Sequence, residues 1–120
     1  MINQYDKTEW VKFLADFSRR NRLRRARLEY FDHQQAVEES QETQLERIAV
    51  DLIGENSPLV IITRLDYSTT EPEVIVNTIS HVQRVGSQLD TDNSESGLEI
   101  EGKDRVLTIL RMESLVDGAS

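Results

Sequence analysis

The sequence predicts an α+β fold, in which one N-terminal amphipathic helix packs on a mostly antiparallel β-sheet of about six or seven strands, arranged as a half-barrel or a sandwich. Three observations carry this. Trp10, Phe13, Leu14 and Phe17 recur at helical spacing. After Asn21 the apolar period changes from about 3.6 to about 2 residues. The strand-like runs that follow are short and bounded by turn residues.

The helix is expected over about residues 7–20. Asp6 and Glu9 form a D-x-x-E variant of the capping box, each placed to satisfy an amide that the helix start leaves unpaired. Tyr5 and Trp10 have the spacing of a hydrophobic staple. Arg19 and Arg20 fall in the last turn, where cations suit the negative end of the helix dipole. Asn21 is the residue expected to turn left-handed and end the helix.

The β-rich part spans 22–113. Ala26, Leu28 and Tyr30 alternate with Arg25, Arg27 and Glu29, the pattern of a strand with one wet face. Ile48, Val50 and Leu52 alternate with Arg47, Ala49 and Asp51 in the same way. Leu59-Val60-Ile61-Ile62 is apolar on both faces, as in a central strand with the helix over one side. Gly54-Glu55-Asn56-Ser57-Pro58 between these two strands predicts a hairpin turn. Further strands are expected at about 73–79, 82–89, 97–101 and 105–112. Glu101-Gly102-Lys103-Asp104 joins the last two, with Gly102 available for a positive φ. The polar stretches 33–43 and 86–97 lack either period and predict loops. The tail 114–120 is expected to fray.

Composition bounds the rest. A chain of 120 residues, 38% hydrophobic and 30% charged, suits a single domain over 1–120. It contains no cysteine, which excludes disulfides, thiolate metal sites and cysteine nucleophiles. The start, Met1-Ile2-Asn3-Gln4-Tyr5-Asp6, lacks the basic and apolar regions of a signal peptide, and no apolar run approaches membrane length. The expectation is a cytoplasmic protein without membrane contact. The net charge of −8 hides an asymmetry: residues 1–30 carry +4 and residues 31–120 carry −12.

The helix sequence Glu9-Trp10-x-x-Phe13-Leu14-x-x-Phe17-Ser18-Arg19-Arg20 resembles the opening of a bacterial family of uncharacterised small proteins, a domain of unknown function. Its members carry a similar helix and then β-rich sequence ending in a hairpin such as Leu98-Glu99-Ile100-Glu101 to Leu107-Thr108-Ile109-Leu110-Arg111. The resemblance implies the helix-then-sheet architecture. It implies no activity, cofactor or site residue.

Few constellations here could carry chemistry. Arg19, Arg20, Arg22, Arg24, Arg25 and Arg27 put six arginines into nine residues, and clustered arginine forks suit phosphates. The competing reading is that Arg19 and Arg20 complete a helix end. Arg25 and Arg27 then decorate a wet strand face and pair with neighbours such as Asp51 or Glu46. Asp90-Thr91-Asp92-Asn93-Ser94 with Glu101 mimics part of a calcium loop. Glu95, however, stands where that loop needs glycine, so a solvated acidic loop is favoured.

His33 and His81 have no partners at metal-ligand spacing, and Ser80-His81 point to opposite strand faces, so no dyad is expected. Glu99 and Glu101 share one strand face, where two like charges could serve acid–base work. No glycine pattern suits a nucleotide. No catalytic, cofactor-binding or metal residue is therefore assigned. The favoured function is a non-enzymatic binding or accessory domain making protein–protein contacts, with another copy of itself among the partners considered. The alternative is a nucleic-acid or phosphate-ligand binder acting through the six arginines, which the overall acidity disfavours. A small carboxylate-based enzyme is a third.

Overall fold

The computed structural model describes residues 2–32, 35–39, 42–68 and 70–113. The expected frayed tail 114–120 and His33 lie outside them. The chain opens with a strand that periodicity did not indicate, β1 (Ile2–Tyr5). A tight 3₁₀ turn at Lys7–Glu9 then leads into the helix α1 (Trp10–Asn21), close to the predicted span. The Asp6 amide donates to Glu9 Oε1 at 3.3 Å, the return half of the predicted capping box. Tyr5 stacks on Phe13 with ring centroids 3.8 Å apart, while Trp10 Nε1 donates to the Tyr5 carbonyl at 2.9 Å. The staple therefore joins Tyr5 to Phe13 through rings and to Trp10 through a hydrogen bond.

Asn21 does not turn left-handed as expected. It stays helical and buried, and its Nδ2 donates to the Phe17 carbonyl at 2.9 Å. The left-handed residue is Leu23, with φ of 69°. That conformation turns the Leu23 amide onto the Leu45 carbonyl (2.6 Å), and the Leu45 amide returns to the Arg24 carbonyl (2.9 Å). A tertiary hydrogen-bond pair outweighs the usual preference for Asn or Gly at such a bend.

Eight more strands follow: β2 (Arg25–Asp32), β3 (Gln35–Glu39), β4 (Thr43–Asp51), β5 (Leu59–Asp66), β6 (Glu73–Ile79), β7 (Arg84–Leu89), β8 (Glu95–Glu101) and β9 (Leu107–Met112). All belong to one sheet, in the order β1-β7-β8-β9-β2-β4-β5-β6, with β3 paired on β2 beside that path. Every pairing is antiparallel. The sheet holds more strands than the six or seven expected; it does not close into a barrel, and a single sheet is not a sandwich. The two strands beyond those expected are β1, which no period indicated, and β3, which lies inside the segment 33–43 expected to be a loop. Gln35–Glu39 pairs with the far half of β2, and β7 and β8 narrow the 86–97 loop to the turn at Asp90–Ser94. Edge pairing satisfies backbone groups whatever the side chains, so short polar strands such as β1 and β3 escape a periodicity search.

The two predicted hairpins form. Asp51 pairs with Leu59 across the Gly54–Pro58 turn, where Gly54 takes φ of 122°, and Glu101 pairs with Leu107. In the second hairpin the positive φ belongs to Arg105 (61°) and not to Gly102, whose φ is −104°. Gly102 is needed for space instead, since a Cβ there would lie 2.9 Å from Ile79 Cγ2.

Alternation along the strands sends Leu28, Leu45, Val60, Ile62, Val85, Leu98, Ile100 and Leu110 to one face, fully buried with Leu14 and Phe17. Trp10 and Phe13 join them in one cluster, as the helix stripe predicted. Each fully buried Leu or Phe contributes roughly 1.5–3 kcal/mol of apolar transfer. The sheet forks beside the helix. β2 pairs with β4 only at Arg25–Gln44 and Ala26–Thr43, then turns to β3. α1 lies against β4, at the side of the strand that β2 leaves open.

Candidate functional site

The arginines of residues 19–27 are distributed over a helix end, a turn and a strand, and each of the first five has a partner within the chain. Arg19 pairs with Asp16 (2.9 Å) on the helix surface, Arg22 with Glu46 (3.4 Å), and Arg25 with Glu42 (2.9 Å). For Arg25 the partner expected from the sequence, Asp51 or Glu46, is therefore replaced by Glu42. A two-residue pairing of β2 with β4 puts Glu42 beside Arg25, and Asp51 instead accepts the Ile53 amide at 2.8 Å. Arg27 sits half-buried on β2 opposite Arg111.

Arg20, at the surface, and half-buried Arg24 join a network centred on Glu95. Arg20 donates through Nε and Nη2 to the two Glu95 oxygens, both at 2.9 Å, a bidentate fork. Asn21 Nδ2 donates to Glu95 Oε1 at 3.0 Å. Arg24 Nη1 bridges the Asn21 Oδ1 (2.7 Å) and the Glu95 carbonyl (2.8 Å), and Nη2 reaches the Glu113 carbonyl. Burial pushes the Glu95 carboxyl up, but the hydrogen bonds from Arg20 and Asn21, with the charges of Arg20 and Arg24, hold it below its ordinary value. Glu95 appeared in the sequence only as a residue that spoils a calcium loop. Here it ties the helix end to the start of β8.

The acidic turn is closed by its own hydrogen bonds. Asp92 Oδ1 accepts from the Ser94 amide (3.0 Å) and hydroxyl (2.6 Å), and Asn93 takes φ of 67°. Glu101 stands on β8 and pairs with Arg84 at 3.5 Å, away from that turn. Among the described residues no three His, Asp or Glu side chains are grouped to hold a metal.

Glu99 and Glu101 do share the outer sheet face. They border an open depression of about 980 Å³ over Phe31, Leu107 and Ile109, with Arg84 and Arg111 across it. Glu99 accepts from Gln88 Nε2 at 3.2 Å, and Arg111 pairs with Glu29. Charges of both signs alternate across this face. His81 lies in the turn after β6, half-buried with φ of 52°, and its amide donates to the Asn56 carbonyl at 3.0 Å.

The β6 end of the sheet is different in kind. Among the described residues β6 pairs with β5 alone, over an unbroken register from Val60–Ile79 to Asp66–Glu73. Which backbone groups face outward follows from β4. Leu45 and Ile48 turn their amide and carbonyl groups away from β5, toward Leu23, Arg24 and Ser18. Their register partners Arg64 and Ile62 must then turn theirs to β6, where they face Ile75 and Asn77. Antiparallel alternation leaves the amides and carbonyls of Val74, Val76 and Thr78 pointing out of the sheet edge. The side chains of Val74 and Val76 are 59% and 55% exposed. They continue a band of half-buried Leu59, Ile61 and Leu65 on the same face.

The opposite face of β6 closes on a buried polar set. Arg64, 2% exposed, donates through Nη2 to Asn77 Oδ1 (3.1 Å), and Asn77 Nδ2 donates to the Tyr30 hydroxyl (3.1 Å). Comparison of the chain with models of protein families, with curated proteins and with solved structures finds no match. No helix among the described residues is long and apolar enough to cross a membrane.

Proposed function

We propose that the protein is a non-enzymatic binding or accessory domain, acting in the cytoplasm, whose contacts to protein are made at the β5–β6 end of its sheet. One observation carries this reading. Among the described residues β6 offers a strand edge with no partner, beside exposed Val74 and Val76, and no charged residue lies between Val74 and Ile79. An edge of that kind is ready to accept another strand, with main-chain bonds for affinity and apolar side chains for fit. Exposed apolar side chains elsewhere, such as Ile53 and Val11, do not lie along an open strand edge, and ion pairs such as Arg19–Asp16, Arg22–Glu46 and Arg84–Glu101 cover other parts of the surface. The helix belongs, in this proposal, to the bacterial family that its Glu9–Arg20 sequence resembles.

A photo-crosslinking residue placed at position 76, with a control at exposed Glu55, tests the reading in living cells. Protein adducts from position 76 and none from 55 are expected. If neither position yields a protein adduct, the β5–β6 end is not a contact surface.

A further inference from the structure

We propose that the occupant of the β6 edge is a second copy of this chain, paired antiparallel across a two-fold axis near Val76. This deepens the protein-contact reading and rests on it. Val76 is the middle of β6 (Glu73–Ile79), so an axis there gives the fullest overlap of two identical strands. Val76 then faces Val76 of the second copy, and Val74 and Thr78 face each other's equivalents. Those are the residues whose amides and carbonyls point outward, so about six main-chain hydrogen bonds can close without moving β6. On the outer face the apolar bands of the two copies become continuous.

Charge favours the antiparallel arrangement. β6 carries one charged residue, Glu73 at its first position, and the acidic side chains nearest to it, Asp66 and Glu71, lie at the same end. Antiparallel pairing sets that end beside Ile79, Ser80 and His81 of the other copy and holds the two acidic ends apart. Parallel pairing would stack them.

The other edges are poorer candidates. β1 has four residues, β3 has five, two of them glutamates, and the open side of β4 is taken by Ser18 at Ile48. β6 has seven residues and none of the devices that blunt an edge, since it contains no lysine, no proline and no break in its register with β5. A two-fold dimer, the symmetry such a pair would have, is also the commonest form of homo-oligomer. Each copy carries −8, so added salt should screen the mutual repulsion and strengthen the pair.

Sedimentation equilibrium of the full chain, from low micromolar to half-millimolar and at low and high salt, is the test. A reversible monomer–dimer equilibrium that tightens with salt is expected. Val76→Lys should weaken it by about tenfold or more while circular dichroism stays unchanged, because the side chain is already exposed. Hydrogen exchange gives an independent signature. The amides of Val74, Val76 and Thr78 should gain protection with concentration, while those of Ile75, Asn77 and Ile79 are protected throughout. A monomer at the highest concentration in both salts, or a dimer indifferent to Val76→Lys, overturns the proposal. The crosslinking arm separates the two levels. An adduct from position 76 with the mass of two chains supports self-pairing. An adduct of another mass from a monomeric protein overturns self-pairing and keeps the contact surface, and no adduct overturns both.

Discussion

Ser18 Oγ lies 2.8 Å from the Ile48 amide and 3.0 Å from the Ile48 carbonyl oxygen, so a helix side chain stands where a strand residue would pair with β4. The hydroxyl accepts from the amide, and its one proton is shared between the Ile48 carbonyl and Leu14, the carbonyl one turn back, at 2.7 Å. β2 leaves β4 after two residue pairs, and α1 takes over its edge there. Both residues are buried, Ser18 at 8% exposure and Ile48 at 2%, so water does not offer a substitute.

Ser18→Ala should therefore cost about 1–3 kcal/mol, the penalty of leaving a buried amide unpaired. Urea melts read the loss, and the Ile48 amide should exchange faster in the variant. A change within the scatter of surface substitutions, about 0.5 kcal/mol, would mean that the hydroxyl is dispensable.

Glu95 predicts an acid-sensitive term. Its carboxyl is held below its ordinary value of 4.5 in the folded chain, so the folded state prefers the charged form. The stability from Glu95 is complete above that ordinary value and is lost as pH falls below it toward the lower folded pKa. Glu95→Gln should lower stability at neutral pH and flatten its decline as pH falls below 4.5. Melting temperature against pH for both proteins is the measurement, and parallel curves would remove Glu95 from the account.

Phe17 is fully buried under the sheet, so Phe17→Ala should cost about 3–5 kcal/mol through lost transfer energy and the cavity left behind. A denaturant midpoint close to that of the native sequence would show that the helix does not dock as described.

Gly97 is buried on β8, where a Cβ would sit 2.8 Å from the Leu110 carbonyl oxygen and 2.9 Å from Gln88 Oε1. The glutamine can swing away, but the carbonyl is part of β9. Gly97→Ala should cost about 1–3 kcal/mol, as overpacking does. Equal thermal stability of the two proteins would contradict so close an approach of β8 and β9.

For the six arginines of residues 19–27, short DNA and RNA should bind no tighter than the ~10⁻⁴–10⁻⁶ M of non-specific contact at physiological salt. Fluorescence anisotropy at several salt concentrations measures this. Sub-micromolar binding lost in the Arg25→Gln, Arg27→Gln double variant would make phosphate recognition the function.

Elements with strong local signals were legible before any tertiary contact was known. Trp10, Phe13, Leu14 and Phe17 form a helix and bury one face because their spacing allows nothing else apolar to happen at that surface. The alternation in 25–30 and the turn residues at 54–58 determined two strands and a hairpin in the same way. Residues of the Glu9–Arg20 stretch build the scaffold: Glu9 caps, Ser18 covers the β4 edge and Arg20 holds Glu95.

The tertiary structure alone decided the rest. β1 and β3 exist because neighbouring strands offer backbone partners, which no side-chain period records. Leu23, and not Asn21, bends left-handed because the Leu45 carbonyl waits for its amide. The arginines found Glu42, Glu46 and Glu95 because the order β8-β9-β2-β4 brings distant segments together. The β6 edge is visible only once strand order is known. A run such as Val74-Ile75-Val76 is equally apolar in the middle of a sheet, and whether its outward hydrogen bonds are already made depends on a neighbour the local sequence does not name.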